Sequence, residues 1–207
     1  VDKPVAESCV RNQSAILGAI RPYLTSSEMK VLEIGSGTGQ HAVHIASALT
    51  NVEWQPSDLR SSLSGIQAWV EDASLSNLYQ PLLLDVNDCA RLLASGKRYD
   101  AVFTANTIHY VSMGTASALI SVAANMLKPQ GLLFVYGAFN QAGSYTSEGN
   151  HRLDEWLRAR DPMSGLKDES WLEQAARMEG LELVEQLQMP ANNLLFVFCK
   201  KETRTAR

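Results

Sequence analysis

The sequence has little cysteine, and its three cysteines are far apart. Cys9, Cys89 and Cys199 form no Cys-x-x-Cys pair, and no histidine stands near them at metal-ligand spacing. Isolated cysteines in an odd number exclude the disulfide framework of a small secreted domain and give no zinc signature. We therefore expect three thiols that pack as small buried hydrophobic groups, in a protein of the reducing cytoplasm.

Long apolar runs and an excess of positive charge are also missing. No stretch approaches the roughly 20 apolar residues that cross a bilayer, and the chain opens at Val1 without a charged-then-apolar leader. The net charge of −4 works against the phosphate attraction on which nucleic-acid binding depends. We expect a soluble, cytoplasmic monomer or homodimer that binds neither a membrane nor a nucleic acid.

Internal repeats, low-complexity tracts and Pro/Gly-rich linkers are absent as well. A length of 207 residues suffices for one sizeable α/β core but not for a full second domain. We expect one domain over residues 1–207, in which residues 1–27 form a helical cap and residues 28–207 form the core.

Short apolar runs alternate regularly with amphipathic segments along the chain. The predicted strands are Lys30–Ile34, Val52–Gln55, Pro81–Leu84, Asp100–Thr104, Leu132–Tyr136, Leu181–Gln188 and Leu194–Cys199. The predicted helices are Ser8–Leu24, one around Ala42–Leu49, Ser61–Asp72, Val86–Ala94, Thr115–Leu127, one around Leu153–Leu157 and one capped by Asp168.

Serial βα units require right-handed crossovers and a parallel sheet with helices on both faces. Residues 189–193 are too few for a crossover, so the last two strands must form an antiparallel hairpin. A mostly parallel seven-stranded sheet that ends in such a hairpin is typical of the Rossmann-like class I methyltransferases. The nicotinamide-binding Rossmann enzymes have an all-parallel sheet instead.

The most informative motif places glycines at positions 35, 37 and 39, between a strand and a helix. A dinucleotide fingerprint would need its third glycine where Gln40 stands, and would bring a pyrophosphate to the helix N-terminus. S-adenosyl-L-methionine has no phosphate but carries a carboxylate and an ammonium. Exposed backbone N–H groups in the glycine turn suit the carboxylate, and Glu33 suits the ammonium, directly or through water. The alternative is a tight turn without a ligand.

Acids follow the next two strands. Asp58 can accept hydrogen bonds from both hydroxyls of a ribose, or it is a solvated loop acid or a helix cap. Asp85 can accept from an adenine amino group beside the Val86 N–H, or it is a plain N-cap.

Residues 103–110 follow the fourth strand and should form the floor of the site near a transferable methyl group. His109 is the one neutral-pH general base in this stretch, and a structural histidine is the open alternative. The stretch lacks the Pro-Pro-aromatic sequence of adenine-modifying enzymes. Asn106 stands where a magnesium-dependent catechol-type enzyme has an acid, so we expect no metal.

A pocket for the methyl acceptor is expected from residues after the fifth strand and in the hairpin. Phe139 and Tyr145 could instead pack as a lid or in the core, and the pair Asn192-Asn193 could simply make the hairpin turn. The acceptor-binding residues that we predict are Tyr110, Phe139, Asn140, Tyr145, Glu148, Asn150, Asn192 and Asn193.

Several segments resemble one small family of bacterial and eukaryotic methyltransferase-like proteins that is classified as a domain of unknown function. They are Arg11-Asn12, Val31–His41, Trp54–Asp58, Thr146–Asn150, Leu157–Pro162 and Met189–Leu194. The resemblance covers nearly the whole chain, and it implies the fold and the cofactor strongly but the reaction weakly. Family members usually carry proline at Ala138, often an acid at Arg60, and an aliphatic residue at Tyr110, so the acceptor of this chain could differ from theirs.

Together these observations predict methyl transfer from S-adenosyl-L-methionine, with S-adenosyl-L-homocysteine as product, to oxygen, nitrogen, sulfur or selenium of a small metabolite. The alternatives are a non-catalytic protein that binds the cofactor and, less favoured, a nicotinamide-dependent reductase. The predicted catalytic residues are His109, Asn106 and Tyr136. The predicted cofactor contacts are Asn12, Glu33, Gly35, Ser36, Gly37, Gly39, Gln40, His41, Asp58, Leu59, Asp85, Val86 and Asn106.

Overall fold

The computed structural model describes residues 3–202, so both ends of the predicted 1–207 domain lie outside the described residues. The strands are β1 Met29–Ile34, β2 Val52–Asp58, β3 Leu82–Leu83, β4 Tyr99–Ala105, β5 Leu127–Ala138, β6 Leu181–Met189 and β7 Asn193–Lys200. The α-helices are α1 Glu7–Ile20, α2 Gln40–Ala48, α3 Leu63–Ala73, α4 Ala90–Ala94, α5 Met113–Met126, α6 Glu148–Arg160 and α7 Glu169–Met178. Short 3₁₀ helices span Arg21–Tyr23, Ile108–Tyr110 and Pro190–Asn192.

The strands form one seven-stranded sheet in the order β3-β2-β1-β4-β5-β7-β6. The pairs from β3 to β5 are parallel, whereas β7 pairs antiparallel with both β5 and β6. The predicted architecture, a mostly parallel sheet ending in an antiparallel hairpin, is confirmed. The strand order reverses direction at β1 and β4, and ligands of open α/β sheets bind beyond the carboxyl ends of the strands at that point.

Alternating side chains on each strand build a core on either face of the sheet. On β4, Val102 packs with α5 and α7 on one face, while Ala101 and Phe103 pack with α1, α2 and α3 on the other. Both clusters consist of fully buried aliphatic and aromatic side chains, which supply the main driving force for folding. The prediction of helices on both faces is confirmed.

Helix boundaries follow local capping chemistry. Asp168 caps α7 as predicted, because its side chain accepts a hydrogen bond from Ser170 N–H. Ser112 and Ser147 cap α5 and α6 in the same way. The structure thus fixes the start of α6, which the sequence left open.

Several predicted boundaries differ from the structure, among them those of the opening helix, of the helix predicted from Val86 and of β3. The opening helix is α-helical only to Ile20, because Pro22 follows and the chain tightens into a 3₁₀ turn. The helix predicted from Val86 begins at Ala90, since Asp85 accepts from Asn87 N–H and forms a turn first. Strand β3 has only two residues, and these pair with Ser57 and Asp58 at the edge of the sheet. None of the described helices is both long enough and apolar enough to cross a membrane.

Candidate functional site

A cavity of about 1420 Å³ lies at the carboxyl ends of the central strands. Its wall is formed by the turns after β1, β2, β3 and β4, by the start of α1 and α6, and by the β6–β7 turn. A pocket for one small ligand usually measures about 300–1,000 Å³, so this cavity has room for two small molecules side by side. Sixteen of the individually predicted cofactor, catalytic and acceptor residues line it: Asn12, Gly35, Ser36, Gly37, His41, Asp58, Leu59, Asp85, Val86, Asn106, His109, Tyr110, Tyr136, Asn150, Asn192 and Asn193.

The glycine turn after β1 requires glycine for different reasons at different positions. A Cβ atom on Gly35 would lie 2.4 Å from Thr107 Oγ1, so the turn after β4 could not approach β1. A Cβ atom on Gly39 would lie 3.1 Å from the Ile66 Cα atom of α3. At Gly37 the added Cβ would meet nothing within 4 Å, yet φ is +57°. Gly37 therefore leaves open space at the cavity wall, whereas Gly39 serves packing and does not line the cavity.

Asp58 links the end of β2 to the glycine turn. One carboxylate oxygen accepts from Gly37 N–H at 2.7 Å, and the other accepts from Leu59 N–H at 2.7 Å. Behind it, the N–H groups of Gly35 and Ser36 both donate to the Ser57 carbonyl at 3.0 Å. These bonds hold an acid and two backbone turns at one corner of the cavity.

Glu33 lies beneath that corner and does not line the cavity. Its carboxylate is buried and accepts from Trp54 Nε1 at 2.9 Å. Burial raises the pKa of Glu33 from 4.5 to about 7, although hydrogen bonds from Trp54 and Ser36 oppose the rise and the charge of Asp58 adds to it. The contact between Glu33 and a ligand ammonium, directly or through water, stays a prediction, and Glu33 is not among the residues that line the cavity.

Gln40 ties the N-terminal segment to the glycine turn instead of lining the cavity. Its Oε1 atom accepts from Ala6 N–H at 2.6 Å and from Thr38 Oγ1 at 3.0 Å. Pro4 is held as well, since its carbonyl accepts from Trp69 Nε1 at 2.7 Å. These bonds place the first turn of α1 over the cavity.

Asn12 and His41 form a polar pair under α1. His41 Nε2 donates to Asn12 Oδ1 at 2.7 Å, and the Cys9 Sγ atom lies 3.9 Å from His41 Nδ1. Burial, together with the nearby His44, lowers the pKa of His41 to about 4, so this imidazole is neutral at physiological pH. Burial raises the pKa of the nearby Tyr136, and the Asn12 side chain opposes that rise.

Asn106 follows β4 in the left-handed region, with φ at +60°. Its N–H donates to the Tyr136 carbonyl at 2.8 Å, which extends the β4–β5 pairing by one residue. Asparagine tolerates this conformation better than most residues. The turn therefore brings Asn106 and Tyr136 to the same part of the cavity.

His109 lies at the other end of the cavity, on the short helix after β4. It is buried, and its ring packs over Gly137, where an added Cβ would lie 3.5 Å from Nδ1. Burial and the charge of Lys167 lower the pKa of His109 to about 4. The next residue, Tyr110, packs its ring 5.0 Å from the imidazole and is half exposed at the cavity mouth. Ala138 and Tyr110, two positions at which we expect this chain to differ from its family, both line the cavity.

Four residues that we predicted to bind the acceptor lie outside the lining, and each has another structural role. Phe139 packs edge to face on Phe196 in the core. Asn140 pairs through its backbone with Lys167 and Glu169. The Tyr145 hydroxyl donates to Asp154 at 2.8 Å, and the Glu148 carboxylate pairs with Arg152 on the surface.

Other residues of the lining were not predicted. They include Arg11, Val111, Ser112 and Leu153. Thr107 of the predicted floor and Asn150 of the predicted acceptor pocket line the cavity as well, and Asn150 Nδ2 donates to Thr146 Oγ1 and to the Asn192 carbonyl, which joins α6 to the β6–β7 turn. A signal existed for Arg11, which stands in a family motif. Val111 and Leu153 carry no such signal, because apolar residues have the same appearance in a core and in a pocket.

The fold is that of the class I methyltransferases. An O-methyltransferase family protein from Burkholderia thailandensis superposes with a TM-score of 0.76 at 16% identity, over 93% of this chain and 59% of its own. A structure of PigF with SAH superposes with a TM-score of 0.73 at 15% identity, over 95% of this chain and 64% of PigF. An O-methyltransferase family 2 protein from Planctomyces limnophilus DSM 3776, in complex with apigenin, superposes with a TM-score of 0.72 at 10% identity. The superposition covers 91% of this chain and 61% of that protein. This chain thus spans less than two thirds of the length of each of these proteins.

Residues 3–200 match the family model DUF938, which is described as a protein of unknown function. The chain belongs to this family, as its motifs predicted.

The buried carboxyl of Glu33 gives a testable pH dependence of stability. Because its pKa is raised in the fold, its stabilising contribution is complete below about pH 4.5 and is lost as the pH rises through about 7. Without a ligand, the free energy of unfolding of the wild type relative to Glu33→Gln should fall by about 3 kcal/mol over this range. Urea unfolding at a series of pH values measures the difference.

The matched control is Glu71→Gln, which changes an exposed glutamate on α3. Its unfolding free energy should run nearly parallel to that of the wild type. Parallel curves for Glu33→Gln as well would contradict a raised pKa.

Proposed function

We propose that this protein transfers the methyl group of S-adenosyl-L-methionine to a nucleophilic oxygen, nitrogen, sulfur or selenium atom of a small metabolite. The observation that carries the proposal is the cavity itself. One end presents the glycine turn and two strand-end acids, the other end presents His109, and the two ends share one continuous space with room for two molecules. The structure of PigF with SAH, which has the same fold, adds support for this cofactor.

The charges on the wall fit this cofactor better than they fit a dinucleotide. Among residues 3–202, three acids line the cavity, Asp58, Asp85 and Asp161, against one cation, Arg11, and no lysine. Carboxylates repel the phosphates of a dinucleotide, whereas a sulfonium and an ammonium are cations that acids attract. The buried Glu33 adds negative potential beneath the glycine turn once it is ionised.

Different residues of the cavity wall would contact the ribose, the adenine and the methionine portion of the cofactor. The Asp58 carboxylate would accept from the ribose hydroxyls, with Leu59 beside it, and Asp85 and Val86 would hold the adenine. The backbone of Gly35, Ser36 and Gly37 would face the methionine portion, with Asn12 and His41 above it. Each of these residues lines the cavity.

The bound cofactor supplies an activated methyl group, so the chain has to align the acceptor and keep water out. Asn106 and Tyr136 stand between the two ends of the cavity and would orient the acceptor toward the methyl group. Val111, Leu119 and Leu153 give the acceptor end an apolar wall, which favours a small organic molecule. Neutral His109 would accept the proton that the acceptor loses.

A labelled-methyl experiment tests the proposal. The protein is incubated with S-adenosylmethionine that carries a labelled methyl group, together with a metabolite extract, and the products are separated by mass. A labelled small molecule should form with the wild type and should be absent with Asp58→Ala. If the cofactor binds but no acceptor is ever labelled, the chain is a non-catalytic binder of this cofactor. Binding of a reduced nicotinamide without binding of S-adenosylhomocysteine would favour a reductase.

Asp58→Ala should weaken binding of S-adenosylhomocysteine by about 2 kcal/mol or more, roughly thirtyfold, because a charge-assisted bidentate contact is lost. Titration calorimetry measures the affinity. Glu71→Ala, on the exposed side of α3, is the matched control and should leave the affinity as it is. An unchanged affinity for Asp58→Ala would remove this residue from the site.

His109→Gln should lower the rate of methyl transfer roughly a hundredfold or more, the size of effect expected for loss of a general base. Its affinity for S-adenosylhomocysteine should stay within a factor of two. With a pKa near 4, His109 is neutral above about pH 5, so His109 should cause no fall in the wild-type rate down to that pH. The exposed His151 provides the control substitution, His151→Gln. A rate that survives His109→Gln would leave His109 with a structural role.

A further inference from the structure

Lys167 is a buried lysine that the proposed chemistry does not use. Only 4% of the residue is exposed, although lysine is almost never fully buried without a partner. Its ammonium donates to the Val111 carbonyl at 2.6 Å and to the Gly165 carbonyl at 2.8 Å. A cation placed between two backbone carbonyls fixes both chain segments more strongly than a neutral donor would.

Both segments lead to His109. Val111 directly follows the short helix that carries His109 and Tyr110, and the Gly165 N–H donates to the His109 carbonyl at 2.9 Å. Lys167 therefore joins the chain after His109 to the loop that holds the His109 backbone. The Lys167 carbonyl accepts in turn from Asn140 N–H, which attaches the loop to the end of β5.

The loop is built around this arrangement. Gly165 has φ at +126°, and an added Cβ would lie 2.7 Å from Asp154 Oδ1. Asp154 is buried and accepts from Leu166 N–H at 2.6 Å, from Arg158 Nε at 2.8 Å and from the Tyr145 hydroxyl at 2.8 Å. Tyr145 thus supports the loop that holds His109, although it does not reach the cavity.

The charge of Lys167 also acts on His109. Besides burial, the cause that lowers the pKa of His109 is this ammonium, and Tyr110 is the other titratable side chain packed against the ring. The pKa of Lys167 itself is lowered to about 8 by burial and by Arg158, while Asp154 and Asp161 raise it. Lys167 is therefore cationic at neutral pH and loses its charge in a range that can be reached by titration.

We propose that Lys167 is a positioning residue that holds His109 against the end of β5, where His109 lines the cavity. A neutral imidazole can accept a proton from the acceptor, whereas an imidazolium cannot. This role for Lys167 rests on the proposed function for its importance in methyl transfer, but its effect on His109 can be measured without any acceptor.

The experiment follows the His109 ring by ¹H–¹⁵N NMR, with His109→Gln used for assignment. In Lys167→Met, which removes the cation and its donors, the pKa of His109 should rise by about one unit, a tenfold change in proton affinity. Lys167→Arg keeps the cation and should restore the low value. The control Lys128→Met removes a lysine paired with Asp100 at the opposite end of β5, and it should leave His109 as it is.

A second measurement needs no variant. In the wild type, the His109 ring nitrogens should shift near pH 8 as Lys167 loses its proton. If circular dichroism shows Lys167→Met to be unfolded, the shift of the wild-type His109 ring nitrogens near pH 8 is the test of the proposal. The absence of this shift, or a folded Lys167→Met with an unchanged His109 titration, overturns the proposal.

A methyl-transfer assay distinguishes a failure of the Lys167 proposal from a failure of the proposed function. Once an acceptor is found, Lys167→Met should lower kcat about tenfold or more at neutral pH, because the loop no longer holds His109 in place for the proton transfer. Its affinity for S-adenosylhomocysteine should stay within a factor of two. If no acceptor is labelled while the His109 ring nitrogens do shift near pH 8, the proposed methyl-transfer function is rejected. The link between Lys167 and His109 is supported all the same.

Discussion

The site depends on the parallel pairing of β1 with β2 on one side and β4 on the other. That pairing places Ser57 beside the glycine turn, where its carbonyl accepts two backbone N–H groups and its hydroxyl donates to the Glu33 carbonyl at 2.6 Å. Ser57 N–H in turn donates to Ser36 Oγ at 3.1 Å. A slip of one residue would turn every side chain to the opposite face and remove Asp58 from the cavity. One register thus fixes an acid, a turn and a buried carboxylate together.

Three buried ionisable groups near the cavity stay compatible with the fold because each has a partner. Glu33 has Trp54, His41 has Asn12, and Lys167 has two carbonyls. Burial disfavours the charged form of each, so the pKa of the acid rises while the pKa of the imidazole and that of the amine fall. The charged side chains that line the cavity itself are Arg11, Asp58, Asp85 and Asp161.

Residues tied to regular structure were predictable from the sequence, and residues tied to loops were not. Strand periodicity and the glycine spacing predict that Gly37, Asp58 and Asp85 share one edge, because parallel strands end at the same edge of the sheet. The segment after β5 has no such rule. Asn140 pairs with Lys167, and Tyr145 turns to Asp154, through contacts that no helix or strand period predicts. Lys167 could not be predicted for the same reason, because nothing in its type or spacing indicates the carbonyls that surround it.

The first turn of α1 is held almost entirely by bonds to other parts of the chain. Ala6 provides no side-chain cap, so the start of the helix relies on Gln40 and on the pair between Asn12 and His41. A helix end of this kind frays at low cost, because only a few hydrogen bonds break and the sheet keeps its own. Fraying there would uncover the glycine turn without unfolding the core. Access to the glycine turn therefore depends on the hydrogen bond that Gln40 accepts from Ala6 N–H at the start of α1.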